Sequence, residues 1–412
     1  MTIEWIAGAA LVFWMVLILD RPRRWPAELA LPRRADSTTV ELAGGVAVIV
    51  PARNEAEVLP LTLPALLGQT IAEMHIVLVD DGSSDDTIAV ARELASDNAF
   101  GPTLQIIEAG VPREGWSGKV HAQAAGYQAI LDRAAGQGRP PPEWILLTDS
   151  DIRHRPDSIR CLLAQAEGWG VDAGFDLVSV MARLRAETSW EKLIIPAFVF
   201  FFQLLYPFRR VVDRRSGVAA AAGGCVLVRR TVLEASGGFA TIGTEIIDDV
   251  ALGRAVKQSG RAIWLGLDPG IVSVRSYDRL WELWRMVSRT AFTQLRYRWD
   301  LLLLTLIALG LLLVSPPLIV AVAVAELGGS GVADTGSLTR AVSWSLLAWG
   351  FMSMAYLPAV RHHRVGIGWA LMLPVAGLFF GLMTASSAID DWLGRGPSWR
   401  GREYPSSREP EG

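Results

Sequence analysis

A chain of 412 residues has room for roughly two to three domains of about 100–200 residues each. With 51% hydrophobic and 20% charged side chains and a mean hydropathy of +0.31, it is too apolar for an ordinary soluble enzyme and too charged for a protein made only of membrane spans, so a hybrid is expected. A net charge of −3 argues against nucleic acid as a partner, and two cysteines, Cys161 and Cys225, exclude a disulfide framework and fit a reducing compartment.

Residues 3–19 are apolar except for Glu4 and are followed by Arg21, Arg23 and Arg24. A cleavable signal carries its cations before the apolar run and small residues after it. Here the order is reversed, so residues 1–20 read as an uncleaved membrane anchor with its basic flank inside.

From Val46 to Asp151 short β-branched runs alternate with helical stretches. Residues 46–50, 76–79, 104–107 and 144–147 read as buried strands, and the segments between them have helical length and periodicity. That alternation predicts an α/β domain with a sheet covered by helices, in which ligands gather at the carboxyl ends of the strands. Polar clusters stand at those ends: Pro51, Arg53 and Glu55 after the first run, Asp80-Asp81-Gly82-Ser83-Ser84-Asp85-Asp86-Thr87 after the second, and Asp149-Ser150-Asp151 after the fourth. A turn and a helix cap by Ser84 or Asp85 account for 82–87. They do not account for Asp80 and Asp81, adjacent carboxylates that repel. Binding a base or ribose, or a hard cation through oxygen, explains that cost better. In Asp149-Ser150-Asp151 the alternation of side chains along an extended strand end lets both carboxylates face one ligand.

Later segments are apolar. Residues 193–208, broken by Pro196 and Gln203, are short for a span and read as an interfacial or re-entrant helix, with a buried core helix as the alternative. Residues 276–300 place Leu280, Trp284, Val287 and Ala291 at helical spacing with Arg279, Arg285, Arg289, Arg296 and Arg298 interleaved, the pattern of an amphipathic helix at a headgroup layer; a surface helix of the soluble domain is the bland alternative. Residues 301–325, with a kink expected at Pro316-Pro317, and residues 341–360 and 367–389 are candidate spans of a C-terminal membrane region, 301–389, before a polar tail, 390–412. The basic loop Arg361-His362-His363-Arg364 is expected inside and the cation-poor loop before Arg340 outside, which puts residues 21–300 in the cytoplasm. The tail, with Arg395, Arg400, Arg402 and Arg408, strains that rule.

The segments VIVPARNEAEVL, VLVDDGSSDDT, GWSGKVHAQAAG and LLTDSDIRH together resemble the donor-binding half of family 2 glycosyltransferases, and AAAAGGCVLVRRTVLEASGGF and TEIIDDVALGRAVKQSG resemble that family's acceptor side. The likeness covers about residues 44–275, and the layout with RSYDRLWELWRMVSRTAFTQLRYRW and late spans is similar to the hopene-associated glycosyltransferases. The resemblance implies the GT-A fold, a Rossmann-like mixed sheet with helices on both faces, here joined to transmembrane helices. It implies a nucleotide sugar, UDP-linked, as donor, a lipid acceptor, and Mg²⁺ or Mn²⁺ as cofactor. Carried over residue by residue, Asp81, supported by Asp80, Pro51, Arg53 and Glu55, would hold uracil and ribose, and Lys119 would approach the donor. Asp149 and Asp151 would bind ribose and metal, a Lewis-acid site for the leaving diphosphate. Asp249 would be the general base of an inverting transfer. Two departures stand out. The family's acidic pair is Glu-Asp, whereas Asp248-Asp249 leaves either residue as base and Asp248 as a possible helix cap. The Gln-x-x-Arg-Trp motif of membrane-bound members has one residue too many between Gln294 and Arg298, so Arg298 and Trp299 are expected as donor contacts only by analogy.

These expectations describe an integral protein of the inner, cytoplasmic membrane with its catalytic domain in the cytoplasm. A processive polysaccharide synthase is the rival within the same fold, although three C-terminal spans leave little room for a channel. A non-catalytic membrane protein that binds nucleotide sugars is the rival outside enzymes; as a transporter it would call for ionisable residues in the spans, and 301–325 and 341–360 have none.

Overall fold

The computed structural model describes residues 2–20, 29–31, 45–69, 71, 74–96, 102–168, 174–327, 335–396, 398–399 and 402–403. The basic flank at Arg21, Arg23 and Arg24 and the tail residues Arg400 and Arg408 lie outside them.

Helix α1 (Thr2–Leu19) precedes an alternation of strands and helices: β1 (Val46–Ala52), α2 (Leu59–Leu67), β2 (Met74–Asp80), α3 (Thr87–Ser96), β3 (Thr103–Glu108), α4 (Gly118–Gly136) and β4 (Trp144–Thr148). The second half runs β5 (Ile152–Arg153), α5 (Ser158–Ala166), β6 (Leu177–Arg183), α6 (Ser189–Leu205), α7 (Phe208–Val212), β7 (Cys225–Arg229), α8 (Arg230–Ala235), α9 (Asp248–Gln258) and β8 (Ile263–Ser273). They form an eight-stranded sheet in the order β3-β2-β1-β4-β7-β6-β8-β5. The α/β expectation of a mixed sheet with helices on both faces holds. β1 and β4 are buried throughout and β2 nearly so, as parallel strands covered on both sides must be. β3 corrects the expectation of a fourth buried strand: it is the sheet's edge, and polar Thr103, Gln105 and Glu108 reach toward water.

Alternation along the strands feeds two cores. Ile49, Val77 and Val79 pack with α4 and α9, while Val48, Ile76 and Leu78 pack with α2 and α5. Gly126 lets α4 lie close on the sheet, since a Cβ there would come within 2.8 Å of Ile49 and Val79. β7 runs antiparallel to both β4 and β6, and β6 runs parallel to β8. The carboxyl ends of β1, β2, β4, β6 and β8 therefore meet the amino end of β7 along one edge, with Ala52 opposite Asp80 and Thr148 opposite Cys225.

The remaining elements are α10 (Leu280–Gln294), α11 (Trp299–Leu309), a π turn (Gly310–Val314), α12 (Ser315–Leu327), α13 (Thr335–His362) and α14 (Leu373–Trp392). Two helices among the described residues are long and apolar enough to cross a membrane, Trp299–Glu326 and Ile367–Trp392. The apolar helix at Ile3–Leu19 is shorter. Residues 341–360, expected as a further span, lie in α13, which is 28 residues long but diluted by Ser343, Ser345, Ser353 and other polar side chains and does not reach the same apolarity. Leu303, Leu304, Ile307, Leu318, Leu378 and Leu382 face outward from these helices.

The double proline acts one turn before itself. Pro316 and Pro317 have no N–H for the carbonyls four residues back, and the helix loosens there into the π turn. The Leu312 carbonyl accepts instead from Trp14 Nε1 at 2.7 Å, which ties α1 to this helix.

Two helices join the sheet domain to the bundle. α6 packs as a core helix: Leu193, Ile194, Ile195 and Ala197 share a core with Trp14, Leu283 and Tyr356, while Val199 belongs to the sheet-side core. Its start is fixed by a capping box between Thr188 and Glu191. The buried Glu191 carboxylate also accepts from the Tyr277 N–H at 2.8 Å and so holds the approach to α10. α10 buries Leu283, Val287 and Phe292, a face rotated from the expected Leu280, Trp284 and Ala291, which are half-buried. It docks on α14, where Ser386 accepts from Trp284 Nε1 at 3.3 Å and Ser387 from the Phe292 N–H at 3.2 Å.

Candidate active site

The ends of β1 and β2 are stitched into one polar turn. Asn54 adopts the left-handed conformation, φ 53°, which aims its Oδ1 at the Ser84 N–H, 2.8 Å away. The Glu55 N–H donates to Thr87 Oγ1 at 2.8 Å, and Asp80 Oδ2 accepts from the N–H groups of Gly82 and Ser83 at 3.1 and 3.0 Å. Asp80 therefore shapes the turn. Asp81 is fully buried beneath Arg53, which donates to its carbonyl and stands 3.9 Å from its carboxylate.

Asp149 and Asp151 leave β4 on a loop fixed from both sides. Thr62 donates to the Ser150 carbonyl at 2.7 Å, and Thr148 to the Gly224 carbonyl at 2.9 Å. Asp149 Oδ1 meets Lys119 Nζ at 2.9 Å. Lys119 stands in the first turn of α4, whose N-cap is Ser117, and its Nζ also lies 3.4 Å from Asp248 Oδ2. Burial alone would lower the Lys119 pKa, but Asp149, Asp248 and Asp249 outweigh it and the ammonium is held charged, its pKa raised. Burial raises the Asp149 pKa against the opposing pull of Lys119. Asp151 Oδ2 accepts from Ser273 Oγ at 2.7 Å and Arg275 Nε at 3.2 Å, and Arg275 also reaches Glu55 Oε1 at 2.7 Å. For Arg275, burial is outweighed by Asp151 and Glu55, so its pKa is raised.

Asp248 and Asp249 open α9. Asp249 Oδ2 accepts from the Gly223 N–H at 2.6 Å and Oδ1 from the Val250 N–H at 2.7 Å. Burial and the neighbouring Asp248 push its pKa up to about 6, with Lys119 opposing. Glycine at 223 leaves room for this arrangement, because a Cβ there would stand 3.1 Å from Lys119 Nζ and 3.2 Å from Asp249 Oδ2 and would press on both.

These groups line one cleft of about 550 Å³, within the usual size of small-molecule sites. Of the residues singled out in the sequence, Pro51, Glu55, Lys119, Asp149, Asp151, Asp248 and Asp249 line it. Arg53, Asp80 and Asp81 lie in the adjoining turn and do not. Arg298 and Trp299, expected as donor contacts, are not brought there. Arg296 and Tyr297 take positive φ values, 54° and 56°, and the turn they make throws Arg298 outward onto its own neighbour Asp300, with Nε 3.0 Å from Oδ1. Trp299 packs edge-on against Phe292 instead.

Sequence reasoning missed Ser273 and Arg275, although the strand-end rule applied to the run ending at Ser273 would have found them. It also read Arg285 and Arg289 only as headgroup cations, whereas α10 turns both into the cleft beside Met286. The lining also holds apolar side chains, Leu184, Phe198 and Phe202, from the β6–α6 region.

The donor set suits a hard divalent cation. Asp149 and Asp151 each keep one carboxylate oxygen outside the bonds described, and both are oxygen ligands. Among the described residues no group of three or more His, Cys, Asp or Glu side chains forms a metal site. A cation here would complete its shell with substrate phosphate oxygens and water, as Mg²⁺ commonly does. The cleft lining carries six carboxylates against four Lys and Arg side chains, an acidic surplus that such a cation offsets.

Residues 47–237, just under half of the chain, match the family model described as Glycosyl transferase family 2. The undecaprenyl-phosphate 4-deoxy-4-formamido-L-arabinose transferase of Pseudomonas savastanoi pv. phaseolicola is 27% identical over 202 residues, 46% of this chain and 49% of its own length. The protein of the same description from Enterobacter sp. is 28% identical over 207 residues, 48% of this chain and 53% of its own. The chain thus spans about half the length of the curated relatives it matches. A solved mannosyltransferase from Pyrobaculum calidifontis, in complex with GDP-Man and Mn²⁺, aligns over 94% of this chain and 99% of its own at 19% identity, with a TM-score of 0.49. That score is below the level at which a shared fold follows. These matches stand at the level of the family 2 domain and do not single out the hopene-associated group.

Proposed function

We propose that this chain, working through the family 2 glycosyltransferase domain at residues 47–237, transfers a sugar from a nucleotide sugar, UDP-linked, to a lipid acceptor at the cytoplasmic face of a membrane, inverting the anomeric centre. The observation that carries the reading is a single cleft that joins the acidic strand ends to an apolar wall made by the helices that dock the bundle. A water-soluble donor and a lipid can meet there. The curated relatives, described as undecaprenyl-phosphate sugar transferases, support a lipid as acceptor. The outward apolar faces of Trp299–Glu326 and Ile367–Trp392 support membrane integration. The sequence layout adds hopanoid lipids to the candidates to be tested.

In this reading Asp81, Asp80 and Arg53, with Glu55 and Pro51 at the cleft wall, receive base and ribose. Asp149 and Asp151 hold Mg²⁺ or Mn²⁺, which when bound neutralises charge on the departing diphosphate. Lys119 adds a fixed positive charge beside them. Asp249, held by Gly223 and Val250, takes the proton of the acceptor's attacking oxygen, and its pKa of about 6 suits a base near neutral pH. Asp248 holds Lys119 and sets the local field.

The test is the full-length protein reconstituted in lipid, supplied with radiolabelled UDP-sugars and a lipid extract, with and without a chelator. Label passing into the lipid fraction only when divalent metal is present is the expected result. No transfer with any UDP-sugar, or metal-dependent transfer undiminished in Asp151→Asn, overturns the reading. Glycolipid profiles after gene deletion then read donor and acceptor together.

A further inference from the structure

Four basic side chains line the cleft, and they fall into two kinds. Lys119 and Arg275 are spent on carboxylates, at 2.9 Å from Asp149 and 2.7 Å from Glu55. Arg285 and Arg289 have no ion pair among the described residues; Arg285 lies over the Trp281 ring, 5.1 Å from its centroid, and Arg289 Nε is buried with no hydrogen-bond partner. Four residues apart on α10, they stand one turn above each other on one face, where like charges repel. The one carboxylate close to them along the helix, Glu282, accepts from the Arg279 N–H at 3.2 Å and closes the capping box. Two adjacent guanidinium groups with free N–H donors, in a cleft wall, are arranged for an anion with several oxygens. The side chains around them, Met286, Phe198 and Phe202, are apolar.

Resting on the transferase reading, we propose that Arg285 and Arg289 bind the phosphate of an anionic lipid acceptor, with the lipid chain against Phe198, Phe202 and Met286. A neutral lipid alcohol would leave both guanidinium groups without an acceptor, whereas a phosphate monoester supplies three oxygens and close to two negative charges. Group transfer then balances as follows. A phosphate oxygen bonds to the anomeric carbon, the bond from that carbon to the donor's β-phosphate oxygen breaks, and the nucleoside diphosphate leaves with the electron pair. Any proton left on the acceptor phosphate passes to Asp249. The product is a sugar joined to the lipid through a phosphodiester.

The experiment uses the full-length protein in phosphatidylcholine nanodiscs and measures dissociation constants for farnesyl phosphate, farnesol, and UDP with Mn²⁺. Farnesyl phosphate is expected to bind at least about tenfold more tightly than farnesol. Arg289→Gln and Arg285→Gln should each weaken farnesyl phosphate by about tenfold and leave farnesol and UDP unchanged, with Arg289→Lys losing less because it keeps the charge. Arg285 is exposed, so its variant reports even where Arg289→Gln disturbs folding. Equal binding of phosphate and alcohol, or indifference of farnesyl phosphate to both variants, overturns the proposal. So does a loss confined to UDP, which would assign the pair to the donor's diphosphate. A wild-type protein that binds no UDP fails the transferase reading instead, on a separate readout, while the lipid arm still decides the clamp.

Discussion

At the sheet-edge end of the cleft, Asp149, Asp151 and Glu55 are each already held, by Lys119 at 2.9 Å, Ser273 at 2.7 Å and Arg275 at 2.7 Å. At the α10 end, Arg285 and Arg289 are held by no carboxylate among the described residues. The two ends differ in where their partners come from. Carboxylates tied to neighbouring cations keep fixed positions and need little rearrangement when a donor and metal arrive, which is the geometry of a pre-organised electrostatic site. Cations left open on a helix that also docks the bundle are, on the proposed reading, the receptors for charge delivered by a lipid.

The comparison breaks first at Asp151. Asp151→Asn should reduce metal-dependent transfer by at least about a hundredfold, followed as label passing into the lipid fraction, because on the proposed mechanism it removes a cation ligand, and it leaves Arg275 half paired. Transfer within a few-fold of wild type would show that the sheet-edge end is not where donor chemistry happens. The next effect is on pH. On the proposed mechanism Asp249 acts as base and must be ionised, so kcat/KM is expected to fall about tenfold per unit below about pH 6, and the fall should vanish from the residual activity of Asp249→Asn. Stability moves the other way. The folded-state pKa stands above the ordinary carboxylate value of 3.8, so this group favours the folded protein in acid, and the contribution declines as pH rises from about 4 through about 6. Denaturant titrations of wild type and Asp249→Asn across that window should differ in slope, with Asp248 and Lys119 unchanged.

Gly223→Ala sharpens the sheet-edge side by displacement alone. Its Cβ would crowd Lys119 Nζ at 3.1 Å and Asp249 Oδ2 at 3.2 Å, and a loss of about tenfold in kcat with little change in Tm is expected, about 1.4 kcal/mol of barrier. Away from the cleft, Trp14→Phe keeps an aromatic side chain, though a smaller one, and removes the donor to the Leu312 carbonyl. It should lower stability in detergent by about 1 kcal/mol and leave transfer untouched. The smallest effect is expected at Arg298→Ala, within about 0.5 kcal/mol in stability and without change in transfer, since among the described residues this exposed side chain pairs only with Asp300. A large loss of activity there would return the 298–299 pair to the site and weaken the contrast between the two ends.

Much of the sheet-edge end of the cleft and its adjoining turn was legible in the chain because its signals are local. Asp80-Asp81, Lys119, Asp149 and Asp151 each follow an apolar run or open a helix, and parallel strands bring such ends together by their direction alone. Ser273 and Arg275 follow an apolar run too, but that this strand end joins the same cleft depends on β8 pairing between β6 and β5, which no local pattern records. Arg298 misled for the opposite reason: a near-match in spacing stood in for geometry, and two residues at positive φ turned it away.

Local sequence was enough to place the elements and the chemistry at their ends: buried parallel strands from β-branched runs, acidic clusters after them, and apolar helices after residue 298. These follow from burial and periodicity, which act over a few residues. Only the tertiary structure decided that β7 runs antiparallel and delivers Gly223 to Asp249, that β3 is an edge, that the indole of Trp14 serves the carbonyl freed by Pro316, and that α10 aims Arg285 and Arg289 into the cleft. Each of these depends on contacts between residues far apart in the chain, where packing volume and the need to satisfy buried polar groups choose among arrangements that local sequence leaves open.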